Sequence, residues 1–205
     1  MIAIIDYGMG NLLSVKNALE YIGAKAEIVT SPEDLDNYER LILPGVGAFG
    51  DCIANLEAKH FVSALNKNVL QNKKPILGIC LGMQVMSTTG YENGKSNGLS
   101  WFEAEVVKMN PYNRECKIPH VGWSETMCKD HPLFEGLPPM PEFYYVHSYY
   151  VKCKDQNDVI AAFDHGGEFT SAICKNNIIG TQFHPEKSQE YGLKVLRNFI
   201  RWNFN

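Results

Sequence analysis

Cys80 lies at the centre of Pro75-Ile76-Leu77-Gly78-Ile79-Cys80-Leu81-Gly82-Met83-Gln84, a short apolar run that meets a Gly-x-Cys-x-Gly turn before a helix-capable stretch, Met83 to Met86. A nucleophile on a tight strand-to-helix turn must stand clear of its own backbone, and Gly78 and Gly82 remove the side chains that would crowd it. With Ser in the middle this is the nucleophile elbow, whose following helix offers backbone N–H groups and positive potential. With Cys there, that potential favours the reactive thiolate. A second cluster, Gly180-Thr181-Gln182-Phe183-His184-Pro185-Glu186-Lys187, closes a predicted strand. A thiol nucleophile needs a base that takes its proton and returns it to a leaving amine, and the base needs an acceptor on its far nitrogen. His184 and Glu186 can fill these roles: two positions apart in an extended segment they project to one side, with rigid Pro185 between them. The third requirement is a cradle for a developing oxyanion. Pro44-Gly45-Val46-Gly47 follows an apolar run, and its glycines let backbone N–H groups turn toward a negative oxygen. Each piece alone has a plainer reading: a buried cysteine in a turn, a His-Pro strand terminator, a βα loop.

Chemistry of this kind requires a scaffold that gathers strand ends, and the first half of the chain supplies one. Ile2 to Ile5, Ala26 to Thr30, Leu41 to Leu43 and Ile76 onward read as short strands that are largely apolar. Between them, Leu12, Val15, Leu19 and Ile22 recur at helical spacing up to Gly23, Ser31-Pro32 opens a short helix, and Ile53 to Leu70 makes a longer helical region. Alternation of this sort predicts an α/β fold, a largely parallel central sheet flanked by helices. The second half predicts an antiparallel extension. Trp101 to Val107 and Phe143 to Val151 are aromatic and β-branched, and Ile160 to Phe163, Ser171 to Cys174 and Ile178 to Gln182 form a meander turning at Gly166-Gly167 and Asn176-Asn177. An amphipathic helix, Gln189 to Trp202, follows.

Composition narrows the function classes. A chain of 205 residues, 45% hydrophobic and 20% charged, is expected to fold as one domain, residues 1–205, with a full core. Its net charge of −4 offers no basic footprint for nucleic acid or an anionic membrane. Cys52, Cys80, Cys116, Cys128, Cys153 and Cys174 form no Cys-x-x-Cys pair and suggest neither a zinc site nor a disulfide framework. The opening apolar run is too short for a signal-peptide core, and a reduced, cytoplasmic, soluble protein is expected. Asp6 and Asp51 lack the convergent carboxylates of a metal site, so no metal is expected. His60, His120, His131 and His165 read as surface or interface residues.

Taken together, Pro44-Gly45-Val46-Gly47, Gly78-Ile79-Cys80-Leu81-Gly82-Met83-Gln84 and His184-Pro185-Glu186 resemble the class I (triad) glutamine amidotransferases, of flavodoxin-like fold. Asp6-Tyr7-Gly8-Met9-Gly10-Asn11, Lys117-Ile118-Pro119-His120-Val121-Gly122-Trp123, Val146-His147-Ser148-Tyr149 and Gly180 to Gln189 are similar, within that family, to the glutaminase subunits of imidazole glycerol phosphate synthase. The resemblance implies that Cys80 attacks the carboxamide of glutamine, that His184 passes the proton to ammonia, and that Glu186 orients His184. It implies an oxyanion hole from Val46, Gly47 and the N–H of Leu81, and a substrate grip from Gln84 and the backbone of His147, Ser148 and Tyr149. It implies no cofactor. It further implies a heterodimer with a (β/α)8-barrel cyclase subunit, met through Asn11, Tyr144 and Lys187. That partner would use the ammonia to make imidazole glycerol phosphate and an aminoimidazole carboxamide ribotide. The Gly-Trp block usually continues with Asn, and here Ser124 follows. Related glutaminases feed other synthetases, including ones that aminate a surface-sugar precursor, and that alternative stands beside the first. A third is a non-catalytic regulatory relative.

Overall fold

The computed structural model describes residues 1–113 and 115–204. The apolar runs of the first half become strands β1 (Ile2–Ile5), β2 (Ala26–Val29), β3 (Arg40–Gly45) and β4 (Ile76–Cys80). β1 and β4 are buried at every position, because helices cover both faces of the sheet. Helix α1 (Leu12–Tyr21) turns Val15, Ala18 and Leu19 inward, and the Asn11 side chain caps its start by accepting from the Ser14 N–H. The helix expected after Ser31 is a 3-10 turn, Pro32–Asn37. Ser31 makes no cap there, and its hydroxyl donates instead to Glu33.

The helical region expected from Ile53 to Leu70 is three pieces: α2 (Phe49–Ala58), α3 (Phe61–Leu65) and a π-helical segment, Asn66–Gln71. The chain breaks at His60, whose φ of 60° is left-handed and ends the i to i+4 ladder. After β4 comes α4 (Leu81–Gln84), a single turn that starts and ends before the expected Met83–Met86.

Among the described residues nine further strands follow: β5 (Ser87–Gly90), β6 (Ser96–Asn97), β7 (Phe102–Lys108), β8 (His120–Cys128), β9 (Glu142–His147), β10 (Tyr149–Cys153), β11 (Val159–Asp164), β12 (Glu168–Lys175) and β13 (Ile178–Thr181). Helix α5 (Gln189–Arg201) comes last. A nine-stranded sheet runs in the order β2-β1-β3-β4-β13-β12-β11-β8-β9. The first five strands pair in parallel, in the order of a flavodoxin-like fold, and the other four continue the sheet antiparallel. The expected antiparallel extension is real but divided, because β10-β7-β5-β6 form a separate four-stranded sheet. Phe143 to Val151, expected as one strand, is cut at Ser148: β9 belongs to the large sheet and β10 to the small one. The Ser148 carbonyl at the junction accepts from the Met109 N–H, which follows the end of β7.

The core lies in two clusters. In one, Phe49, Leu56, Phe61 and Met86 pack with Phe102 and Val106 of the small sheet. In the other, Val15, Leu19, Phe143, Phe183 and Phe199 pack around the side of the large sheet that α1 and α5 cover. Among the described residues no helix is long and apolar enough to cross a membrane.

Candidate active site

Parallel pairing brings the carboxyl ends of β1, β3, β4 and β13 to one edge. Gly45 stands opposite Cys80, and Ile79 opposite Thr181. The Cys80 turn therefore lies between the Pro44–Gly47 loop and the segment from Gln182 to Glu186. Cys80 has φ 54° and ψ −110°, a conformation that costs a non-glycine residue on the order of 1–3 kcal/mol. Its neighbours make the turn possible. A Cβ on Gly82 would fall 1.8 Å from the Leu43 oxygen, and one on Gly78 would fall 2.7 Å from the Gly82 oxygen. Because α4 is one turn long, aligned peptide dipoles add little, and the electrostatic contribution reduces to the N–H groups nearest Cys80.

His184 and Glu186 meet, though not as extended neighbours. Pro185–Lys187 is a 3-10 turn that folds Glu186 back, so its Oε1 lies 2.9 Å from His184 Nδ1, with the two side chains 2% and 1% exposed. The backbone around His184 is bracketed. Its N–H donates to the Tyr144 carbonyl, and Ser188 Oγ donates to its carbonyl while accepting from the Tyr144 N–H. Nε2 is buried without a hydrogen-bond partner. Burial alone opposes protonation of this ring, but neighbouring Cys80 and Glu186 outweigh it and carry the imidazole up to about 10.

A cavity of about 250 Å³ opens at this edge. Val46, Gly47, Cys80, Leu81, Gln84, His147, Ser148, Tyr149 and His184 all line it, with Glu186 behind His184. Ser148 is there because the chain changes sheets at that point, and so is the backbone on either side of it. Gln84 Nε2 donates to the Tyr149 carbonyl and to Gln182 Oε1, both at 2.9 Å, which leaves Gln84 Oε1 as the atom free to meet a ligand. The loop that bears Val46 is anchored at its base: the Tyr7 hydroxyl donates to the Pro44 carbonyl at 2.9 Å and accepts from the Cys52 thiol at 3.2 Å. Burial, with both thiols nearby, pushes the Tyr7 phenol well above its ordinary range.

Asn11, Tyr144 and Lys187 do not line the cavity. Lys187 Nζ lies 5.8 Å over the Tyr144 ring, and Trp123 stands edge-on to that ring at 6.0 Å. Val121 pairs across the strands with Val146, as Trp123 does with Tyr144. Val121, Trp123 and Val146 are 57%, 44% and 38% exposed, an apolar strip on the outer face of β8 and β9.

Three residues near the site were not anticipated. Glu92 lines the cavity and accepts from the Phe49 N–H at the start of α2; nothing in its Tyr91-Glu92-Asn93-Gly94 turn announced it. Gln182 Nε2 lies 3.5 Å from Cys80 Sγ. It sits two residues before His184, so the alternation that singled out Glu186 could have found it as well. His120 is a correction: expected at the surface or an interface, it is 4% exposed, with Nδ1 3.3 Å from His147 Nε2 and Nε2 2.9 Å from Ser124 Oγ. It stacks on Phe163 because β8 turns this residue inward.

Residues 3–202 match the family model described as glutamine amidotransferase class-I. The chain is 50% identical over 202 residues to imidazole glycerol phosphate synthase subunit HisH 1 of Campylobacter jejuni, covering 98% of this chain and all of that protein. It is 46% identical over 204 residues to subunit HisH of Sulfurimonas denitrificans, covering 98% of each. Among solved structures, one titled as a glutamine amidotransferase superposes with a TM-score of 0.76 at 18% identity, over 98% of both chains. PurLQS from Thermotoga maritima gives 0.75 at 21%, over 98% of this chain and 97% of that one. These two structures support the fold alone.

Proposed function

We propose a reaction from one premise: this chain belongs to the class-I glutamine amidotransferase family. It is the glutaminase subunit of an imidazole glycerol phosphate synthase in histidine biosynthesis, a reading supported by full-length relatives of that name. Residues 1–205 act as a single glutamine amidotransferase domain that hydrolyses L-glutamine to glutamate and ammonia.

Cys80 gives its proton to His184 Nε2, and the thiolate attacks the side-chain carbonyl carbon of glutamine, forming the C–S bond. The Leu81 N–H and the backbone around Val46 and Gly47 hold the oxyanion as it develops. His184 then delivers its proton to the departing nitrogen, the C–N bond breaks, and ammonia leaves a glutamyl thioester on Cys80. Glu186 accepts from Nδ1 throughout, which keeps Nε2 as the working nitrogen. Water, deprotonated by neutral His184, attacks the thioester; glutamate departs and the proton returns to Sγ. Gln84 and the backbone of His147, Ser148 and Tyr149 hold the substrate, and the Glu92 carboxylate on the cavity wall pairs with its α-ammonium. The observation that carries this reading is the sealed His184–Glu186 pair with Nε2 unpartnered beside Cys80.

Ammonia passes to a cyclase subunit of (β/α)8-barrel fold in a heterodimer, and the products there are imidazole glycerol phosphate and aminoimidazole carboxamide ribotide. Asn11, Tyr144 and Lys187 belong to that interface, and the exposed strip of Val121, Trp123 and Val146 beside Tyr144 supports it. A cytoplasmic location fits six free cysteines and a working thiol. Cys80→Ala and Cys80→Ser, assayed for glutamate release, lose the activity and keep the fold; undiminished release rejects the assignment. Co-purification with a cyclase, followed by glutamine-dependent cyclisation, tests the partner.

A further inference from the structure

The cavity wall contains a hydrogen-bond chain that the triad does not use. At its centre is the backbone oxygen of Tyr149, which can only accept. Two donors reach it, His147 Nδ1 at 2.8 Å and Gln84 Nε2 at 2.9 Å. That one acceptor fixes the sense of every bond on either side.

On the histidine side, His147 carries its proton on Nδ1, so its Nε2 accepts from His120 Nδ1, and His120 Nε2 accepts from the Ser124 hydroxyl. Burial above all depresses both rings, to about 3 for His120 and about 4 for His147, so each stays neutral near pH 7 and holds one tautomer. On the amide side, Gln84 turns its second Nε2 hydrogen to Gln182 Oε1. The opposite face of the Gln182 amide is therefore its NH2 group, 3.5 Å from Cys80 Sγ. Gln182 is fully buried, and its main-chain N–H is tied to the Ser171 carbonyl at 2.7 Å. Its side chain reaches both Gln84 and Cys80, so rotation would break both bonds.

We infer that Gln182 is a further catalytic residue, whose side-chain N–H, aimed by Gln84 and the Tyr149 carbonyl, donates to the Cys80 sulfur and stabilises it as the thiolate. His184 removes the thiol proton, and Gln182 supports the charge left behind. The inference rests on Cys80 reacting as a thiolate in the mechanism above. A hydrogen bond to a charged group corresponds to roughly 10- to 150-fold in an equilibrium constant.

The test is alkylation of Cys80 by iodoacetamide across a pH series, read by mass spectrometry of the Cys80 peptide in the full chain. In Gln182→Leu the pH midpoint of alkylation moves up by about one unit or more, and kcat falls about tenfold or more with KM for glutamine little changed. In Gln182→Glu the midpoint moves further, because an ionised carboxylate faces the sulfur. If leucine does not fold, the glutamate variant decides. If neither folds, Gln84→Met decides, since it leaves Gln182 whole but unaimed and shifts the midpoint by a smaller amount. An unmoved midpoint in a folded variant overturns the role of Gln182 even if glutamine hydrolysis by the parent is intact. A midpoint that moves in the variant while the parent does not hydrolyse glutamine keeps the contact of Gln182 with the thiolate and rejects the glutaminase.

Discussion

His184 Nδ1 lies 2.9 Å from Glu186 Oε1 in a pair almost sealed from solvent. Such a bond selects one tautomer of the imidazole and leaves Nε2 for proton transfer. Glu186→Gln keeps the shape, but its amide can present an N–H to Nδ1 and so favour the wrong tautomer. We expect kcat for glutamine hydrolysis to fall by about three to four orders of magnitude, and stability near neutral pH to fall as well, because one of the two neighbours that hold His184 protonated is neutralised. Steady-state kinetics beside a melting curve checks this.

The same pair gives a pH dependence with a definite sign. Neighbouring Cys80 and Glu186 hold the His184 imidazole up to about 10, above its ordinary value. A raised histidine stabilises the fold fully below about 6.5, its unfolded value, and that contribution is lost as pH rises toward about 10. His120 and His147 have the opposite sign. Their rings refuse protons down to about 3 and about 4, so stability falls as pH drops below about 6.5. Denaturant titrations across pH are expected to show losses on both sides, with the acid-side loss reduced in His120→Phe.

Tyr7 and Pro44 supply a third expectation. Tyr7→Phe leaves the Pro44 carbonyl without its buried donor and the Cys52 thiol without its acceptor. The expected cost is about 1–3 kcal/mol of stability. The base of the Pro44–Gly47 loop also loosens, so kcat is expected to fall more than KM rises. Urea unfolding and initial rates measure the two effects separately.

Gly82→Ala is expected to abolish the soluble fold or to cost about 3 kcal/mol or more, because its Cβ would enter the Leu43 carbonyl rather than a movable side chain. Soluble yield and thermal unfolding decide.

On the outer face, Tyr144→Ala removes the ring that meets both Lys187 and Trp123. It leaves untouched the main-chain bonds that bracket His184. Affinity for the partner subunit is expected to fall about tenfold or more, as for an aromatic anchor. Titration calorimetry with the cyclase measures it.

The gathering of Cys80, His184 and Glu186 at one edge was legible because each piece is local. Cys80 with its glycines, and His184 with Glu186, each lie within a few residues, and the apolar strands that gather them are simple runs. What escaped depends on distant partners. β8 went unrecognised because its outward positions carry Val121, Trp123 and Met127 while His120 and Thr126 face inward, the reverse of the usual pattern. The break at His60 carries no Gly or Pro signal. Ser148 suits an extended chain, so an aromatic run that serves two sheets read as one strand. Glu92 enters the cavity from a turn whose position is set by its bond to the Phe49 N–H.

The change of sheet at Ser148 bears on how this chain can vary in length. A residue inserted or deleted there would shift the His120–His147 register on one side or the Tyr149–Lys108 register on the other, and no turn nearby could absorb the slip. Homologues are therefore expected to tolerate gains and losses of residues between β7 and β8 and between β8 and β9. Between Val146 and Val151 they are expected to keep a fixed count, so this short seam marks where the two sheets must remain in step.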